Sequence, residues 1–244
     1  MSEVFGIGLM SGTSGDGVDS ALLKFRGDKK PELVASDFLR FSKNVRTDIA
    51  TASRPDGSAE LICSLNVELG KIFGSAAVRL CNKAKLPMKK IDFIGSHGQT
   101  IRHQPSSKKG AVSSTLQIGE AAEIAQITGA VVVSDFRPAD VAAGGSGAPL
   151  TPIAHHTLFA SNAENRVIHN LGGISNVTYL PKGGGMCEVT GFDTGPANSL
   201  LDLAASHFSK GGPGYDSGGK IAMKGKVDSR MFKHCMAHPF YKKR

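Results

Sequence analysis

At 244 residues, with 40% hydrophobic and 20% charged side chains, the chain has the composition of a globular protein of one large or two small domains. No apolar run approaches the roughly 20 residues of a bilayer span, and MSEVFGIG has neither the basic start nor the cleavage signature of a secretory leader. The expected location is the cytoplasm, with no membrane partner. The net charge of +8 is concentrated: nine Lys/Arg against two Asp/Glu lie between Lys210 and Arg244, leaving the body nearly neutral. With no interleaved aromatic platform and no Trp, that tail reads as a solvated end rather than a nucleic-acid surface. Cys63, Cys81, Cys187 and Cys235 show no C-x-x-C pairing and are expected to be buried thiols.

The chain opens with an apolar run, Val4 to Met10, a turn from Ser11 to Gly17, and a second run from Val18 to Phe25. This predicts a β-hairpin. Its Gly12, Thr13, Ser14, Gly15 and Asp16 offer backbone N–H groups and hydroxyls to an anion such as phosphate. An ordinary glycine-rich hairpin turn has the same composition. A dinucleotide fingerprint is excluded because a strand, not a helix, follows Gly6-Ile7-Gly8. No Walker-type loop is present, and Gly12 to Asp16 fails the last position of a nucleophile elbow.

Glu32 to Phe41 predicts a third strand. From Ser58 to Lys83, Leu61, Leu65, Leu69, Ile72, Phe73, Ala76 and Leu80 recur at helical spacing, predicting a long amphipathic helix with Cys63 and Phe73 in the core. Ile91 to Gly95 reads as a short buried strand running into a polar loop, Ser96 to Thr100. In open α/β sheets ligands bind at such strand ends, so His97 is a candidate ligand-lining residue. Thr115 to Ile118 predicts a strand, Glu120 to Thr128 a helix, and Ala130 to Ser134 a fully buried strand. The loop after it carries Arg137, whose donor fork suits a carboxylate or phosphate. A salt bridge to Asp135 or Asp140 is the alternative. Pro149 and Pro152 mark the start of a helix bearing His155 and His156, which point in different directions and make poor joint metal ligands.

A break near Asn162 to Asn165 divides domains 1–162 and 163–244. The second part repeats the opening pattern: strand Arg166 to Asn170, a turn with Gly172 and Gly173, then strand Val177 to Leu180. Glu188 to Phe192 predicts a strand delivering Asp193 to its end, with Pro196 in the first turn of a helix ending near Phe208. Asp193 there is either a catalytic carboxylate or a helix cap. A glycine-rich loop and short helices follow Lys210.

In order, LMSGTSGDGVD, GSHGQTIRH, TLQIGE, DFRPADVAAGGSGAPL, NLGGISNVTYL and GFDTGPANSLLD resemble the anhydro-N-acetylmuramic acid kinase family of the sugar kinase/Hsp70/actin superfamily. The resemblance implies an α/β, actin-like ATPase (ribonuclease H-like) fold with a complete first domain and an incomplete second. It implies ATP- and Mg2+-dependent phosphorylation of 1,6-anhydro-N-acetylmuramic acid with opening of the anhydro ring. By the same resemblance Asp193 is the general base. Gly12, Thr13, Ser14, Gly15, Asp16, Gly17, Val18 and Asp19, with Gly172 and Gly173, bind ATP. Asp16 holds Mg2+ through water, and His97 and Arg137 line the sugar pocket. Partners are the amino sugar and ATP, with a homodimer left open.

Three residues depart from the family's usual choices: Gly15 for Leu, expected to loosen the hairpin, Ser146 for Gln, and Ala197 for Gly. The family also continues past His238-Pro239-Phe240 into a segment that carries adenosine-binding glycines and an acidic substrate contact. A non-catalytic remnant that binds sugar or a protein partner is therefore the competing expectation.

Overall fold

The structure, a computed structural model, describes residues 3–27, 29–105, 112–209 and 214–242. Lys210, Lys243 and Arg244 of the basic tail, and the start of its glycine-rich loop, lie outside the described residues. The elements in order are β1 (Val4–Ser11), β2 (Gly17–Phe25), β3 (Glu32–Arg40), α1 (Lys43–Ala52), α2 (Ala59–Ala84), β4 (Phe93–Gln104), β5 (Ser114–Ile118) and α3 (Ala121–Thr128). There follow β6 (Val131–Val133), α4 (Phe136–Ala142), α5 (Thr151–Phe159), β7 (Arg166–Leu171), β8 (Ile174–Leu180), β9 (Thr190–Pro196), α6 (Asn198–Phe208) and α7 (Ser229–Met236). The chain divides into two compact units, Met1–Ile168 with Thr178–Gly191, and His169–Val177 with Phe192–Arg244.

The first unit is built on a six-stranded sheet. β1, β2 and β3 form an antiparallel meander. The chain then crosses through α2, and β4 returns parallel to β1, with β6 parallel to β4 beyond it. Three antiparallel strands followed by a helical crossover to a parallel strand beside the first is the arrangement of the ribonuclease H-like, actin-like ATPase fold. β5 is an addition that pairs antiparallel with the far half of β4, Gln99 to Gln104. Strands β7, β8 and β9 make a second sheet in that order.

Helix α2 holds the first sheet's inner face. Ser58 caps its start by accepting a hydrogen bond from the Leu61 N–H, and Lys85 closes its end in a left-handed conformation. By length and composition alone α2 could cross a bilayer. Instead Leu65, Leu69, Phe73, Ala77 and Leu80 form one core with Ile7, Leu9, Val18, Leu22 and Ile94 of the sheet. Such a one-sided apolar stripe gains its stability by burial.

Several sequence expectations are corrected here. α1 was not foreseen, although Val45, Ile49 and Ala52 bury at helical spacing after the Ser42 cap. Ser96 to Thr100 is not a loop but the middle of β4, kept extended because β5 pairs with its outer half. Val131 and Val133 are 66% and 47% exposed, because β6 pairs with β4 alone among the described strands. Phe136 to Ala142 is helical rather than loop. Pro196 ends β9 instead of opening α6, and Asp193 lies within that strand instead of at its end.

The cysteine expectation fails for three residues: Cys63, Cys187 and Cys235 are exposed, and only Cys81 is buried. Cys63 sits two positions from both Leu61 and Leu65, which turns it away from the buried stripe. Burial raises the Cys81 thiol above its ordinary pKa. A thiol-reactive chromophore is thus expected to titrate three groups in the native chain and the fourth only on unfolding. Four equally fast thiols would contradict the packing of Cys81.

Candidate functional site

The hairpin tip between β1 and β2 is held by hydrogen bonds before any ligand arrives. The Gly15 N–H donates to the Gly12 carbonyl at 3.0 Å, and the Phe41 N–H to the Asp16 carbonyl at 2.9 Å. Ser14 Oγ donates to Asp16 Oδ1 at 2.6 Å. Beneath the tip lies Gln99, 1% exposed. It accepts from Ser11 Oγ at 2.5 Å and donates to the Gly12 carbonyl at 3.2 Å. The sequence reading passed over Gln99, although an amide in an apolar strand signals a buried polar tie.

Gly15 has φ +56, a conformation that strains any side chain. A Cβ there would also come within 3.3 Å of Ile49 Cγ2. Glycine at this position therefore relieves strain in the folded hairpin, correcting the expectation that it only loosens it.

The eight hairpin candidates do not form a single concave cradle. Thr13, Ser14 and Gly15 line a cavity of about 670 Å³ that also receives Lys43, Arg46 and Arg54. Asp19 lines a separate cavity of about 890 Å³, with Gly8, Ala21, Phe38, Gly95 and His97. Gly17 and Val18 are buried in β2, so Val18 contributes its side chain to the core. Partial burial, and next the Asp16 charge, raise the Asp19 carboxyl above the usual carboxylate range. Asp16 and Asp19 together offer the carboxylate oxygen donors that a hard divalent cation prefers. No group of three or more metal-ligating side chains occurs among the described residues.

His97 and Arg137, forty positions apart, meet directly. Arg137 Nε donates to His97 Nε2 at 2.7 Å, and Arg137 Nη1 donates to the Gly147 carbonyl at 2.7 Å. His97 Nδ1 lies 3.0 Å from the Gly98 carbonyl. Because both guanidinium nitrogen and carbonyl have fixed roles, His97 must accept at Nε2 and donate at Nδ1. It is the neutral tautomer with both nitrogens engaged. Neither foreseen salt bridge to Arg137 forms: Asp140 Oδ2 accepts the Gly147 N–H at 2.7 Å, and Asp135 accepts from Ser134 Oγ at 3.1 Å. Burial lowers the Arg137 pKa, so an anion alongside would be favoured.

Burial, followed by the nearby Arg137 charge, lowers the His97 pKa, against the raising effect of the Gly98 hydrogen bond. Burial lowers His103 in the same direction. A histidine whose folded pKa lies below its unfolded value of about 6.5 stabilises the fold fully above that value. The contribution is lost as pH falls through the lowered pKa, because the unfolded chain takes up the proton first. Thermal unfolding is expected to move to lower temperature between pH 7.5 and 5, with a shallower slope in His97→Gln. An identical pH slope in that variant would remove His97 as a contributor.

In the second unit, Asp193 is exposed on β9. The next residue, Thr194, has its hydroxyl 2.5 Å from Ser175 Oγ, which lies 2.7 Å from His169 Nε2. Gly172 and Gly173 are fastened to the start of α6: their carbonyls accept the Asn198 and Ala197 N–H groups, each at 3.0 Å. The sequence did not reveal this lock. It fixes the glycine turn as part of the helix start, not as a free loop.

The strand order and the hydrogen-bonded glycine hairpin define a protein of the actin-like ATPase class. Within that class the chain belongs to the anhydro-N-acetylmuramic acid kinase family, whose sequence model matches residues 4–244. Relatives named anhydro-N-acetylmuramic acid kinase include one from Caldanaerobacter subterraneus subsp. tengcongensis, 44% identical over 97% of this chain and 61% of its own length. One from Bacillus thuringiensis subsp. konkukian is 42% identical over 97% of this chain and 62% of its own. This chain thus spans about 61% of the length of such relatives. Among solved structures, an Aquifex aeolicus PPX-GPPA enzyme aligns with TM-score 0.39 and 9% identity, over 90% of this chain and 60% of that one.

Proposed function

We propose that the chain carries the chemistry of an ATP-dependent sugar kinase acting on 1,6-anhydro-N-acetylmuramic acid in the cytoplasm, with N-acetylmuramic acid 6-phosphate as product. This would be a step of murein recycling. The observation that carries this reading is the family match across residues 4–244. In this reading residues 1–162 form a domain that holds phosphate and sugar, and residues 163–244 begin a second that contributes Asp193, Gly172 and Gly173.

Asp193 removes a proton from water as its oxygen attacks the anomeric carbon. The bond from that carbon to O6 breaks, O6 bonds to the γ-phosphorus, and ADP leaves. An inverting glycosidase needs a second carboxyl to protonate the leaving oxygen. Here the phosphoryl group captures it, so one carboxylate suffices. The phosphate side then requires positioning and charge neutralisation, supplied by backbone and hydroxyl donors from Gly12 to Asp19. Asp16 and Asp19 are the residues that would hold Mg2+, whose bound charge offsets that of the phosphates.

Arg137 is the direct sugar contact. His97 acts through it, because both of its ring nitrogens are already engaged. The test is ATP-dependent conversion of 1,6-anhydro-N-acetylmuramic acid by the purified chain, followed by mass spectrometry. Product that depends on both ATP and Asp193 supports the kinase reading. A folded chain that binds the sugar without turning it over supports the binding remnant instead.

A further inference from the structure

Beside the carboxyl ends of the parallel strands β4 and β6 lies a polar cavity of about 150 Å³. Ser96 of β4 lines it and is 1% exposed. Its Oγ is the one buried side-chain polar atom without a hydrogen-bond partner among the described residues. Leaving a buried hydroxyl unpaired is costly, so the orphan requires a reason.

Three other elements bring oxygen atoms to the same space: Asn66 from α2, Glu120 from the cap of α3, and Ser134 and Asp135 from the end of β6. Their contacts hold the wall in place. Asn66 Nδ2 donates to Glu120 Oε2 at 2.9 Å, and Asn66 Oδ1 accepts the Gly119 N–H at 2.7 Å. Glu120 Oε1 takes the Ala122 N–H at 3.1 Å, and Ser134 Oγ donates to Asp135 Oδ2 at 3.1 Å. Each of these oxygens keeps a lone pair. The lining holds two carboxylates and no Lys or Arg. His97 at its rim is neutral, and Arg137 beyond it spends its contacts on His97 and the Gly147 carbonyl.

We propose that this cavity holds a monovalent alkali cation, coordinated by the oxygens of Ser96, Asn66, Ser134, Glu120 and Asp135. Hard cations take oxygen ligands, and one seated here gives the orphan hydroxyl oxygen a partner and offsets the carboxylate charge. Most of these donors are neutral, and both carboxylates already accept hydrogen bonds, which suits a single charge. Mg2+ demands near-ideal octahedral geometry and dehydrates reluctantly. The bound ion ties α2, β4, the start of α3 and the end of β6 at one point beside His97. Such a site is independent of the kinase reading.

The test is the melting temperature of the 244-residue chain in KCl, NaCl and tetramethylammonium chloride at equal ionic strength. Tetramethylammonium shields its charge behind methyl groups and serves as the control. One alkali ion, at tenfold its dissociation constant, should raise the midpoint by about 3–6 °C over that control. The better of the two salts identifies the ion. Ser96→Ala should melt no lower than wild type in the control salt, because the orphan hydroxyl is gone, and should lose most of the alkali shift. Asp135→Asn should lose a similar share, and Asn tolerates the φ of +60 at that position. Equal midpoints in the three salts, or a shift that both variants keep in full, overturn the cation site and leave Ser96 to a buried water. A rise produced by MgCl2 and by neither alkali salt overturns it as well.

Discussion

On the proposed kinase reading, Asp193→Asn is expected to lower ATP-dependent ring opening at least ~100-fold, the scale of a lost general base, while sugar affinity changes little. The substitution keeps size and shape and removes only the ability to take a proton from water. The fold around it should hold, because the strand is tied by Thr194 to Ser175 and by Ser175 to His169, not by the Asp193 side chain. Rates would be compared with wild type under saturating ATP and sugar, with affinity measured separately. A variant with near-wild-type turnover would assign the base to another residue. A parallel loss of affinity and turnover would make Asp193 a binding group.

Phe73→Ala should cost about 3–5 kcal/mol of stability, the range for emptying a buried aromatic site. Against the 5–15 kcal/mol available to a typical domain, that is a large share. Phe73 is fully buried, and its ring lies beneath Gly119 where the chain passes Gly98. Gly98 itself has φ +72, and a Cβ there would approach the Ile118 carbonyl oxygen to 2.6 Å. The packed ring therefore backs the close approach of Gly119 to Gly98, the residue after His97. Chemical denaturation would show the loss as a lowered midpoint with unchanged slope. A loss under 1 kcal/mol would mean that the neighbouring side chains close the cavity.

Much of the first sheet was legible because local pattern and tertiary role agree there. The apolar runs flanking Gly12 to Gly17 became β1 and β2, and the α2 stripe from Leu61 to Leu80 is the stripe that packs. What escaped depends on partners distant in sequence. Ser96 to Thr100 reads as a loop until β5 pairs with the outer half of the same strand. The runs of valine in β6 imply burial, yet exposure is decided by which neighbouring strands are present. Both His97 and Arg137 could be singled out as polar residues near strand ends. Their mutual hydrogen bond, and its consequence for the histidine tautomer, required coordinates. Ser96 gave no local signal, since a serine after an apolar strand is commonplace until its hydroxyl is found buried and alone.

The outer strand β3 bears on how copies of the chain behave at high concentration. Its pairing with β2 is broken by a register shift at Leu22/Leu23. Midway along it, Asp37 anchors Arg79 at 2.7 Å and Lys83 at 3.1 Å from α2. A second copy adding its own strand to this border would have to match an irregular ladder beside long cationic side chains. Irregularity and charge of that kind discourage edge-to-edge stacking of sheets. Growth of fibrils through this border is accordingly disfavoured, and Asp37→Val, which removes the ion pairs with Arg79 and Lys83, is the change that would begin to remove the protection.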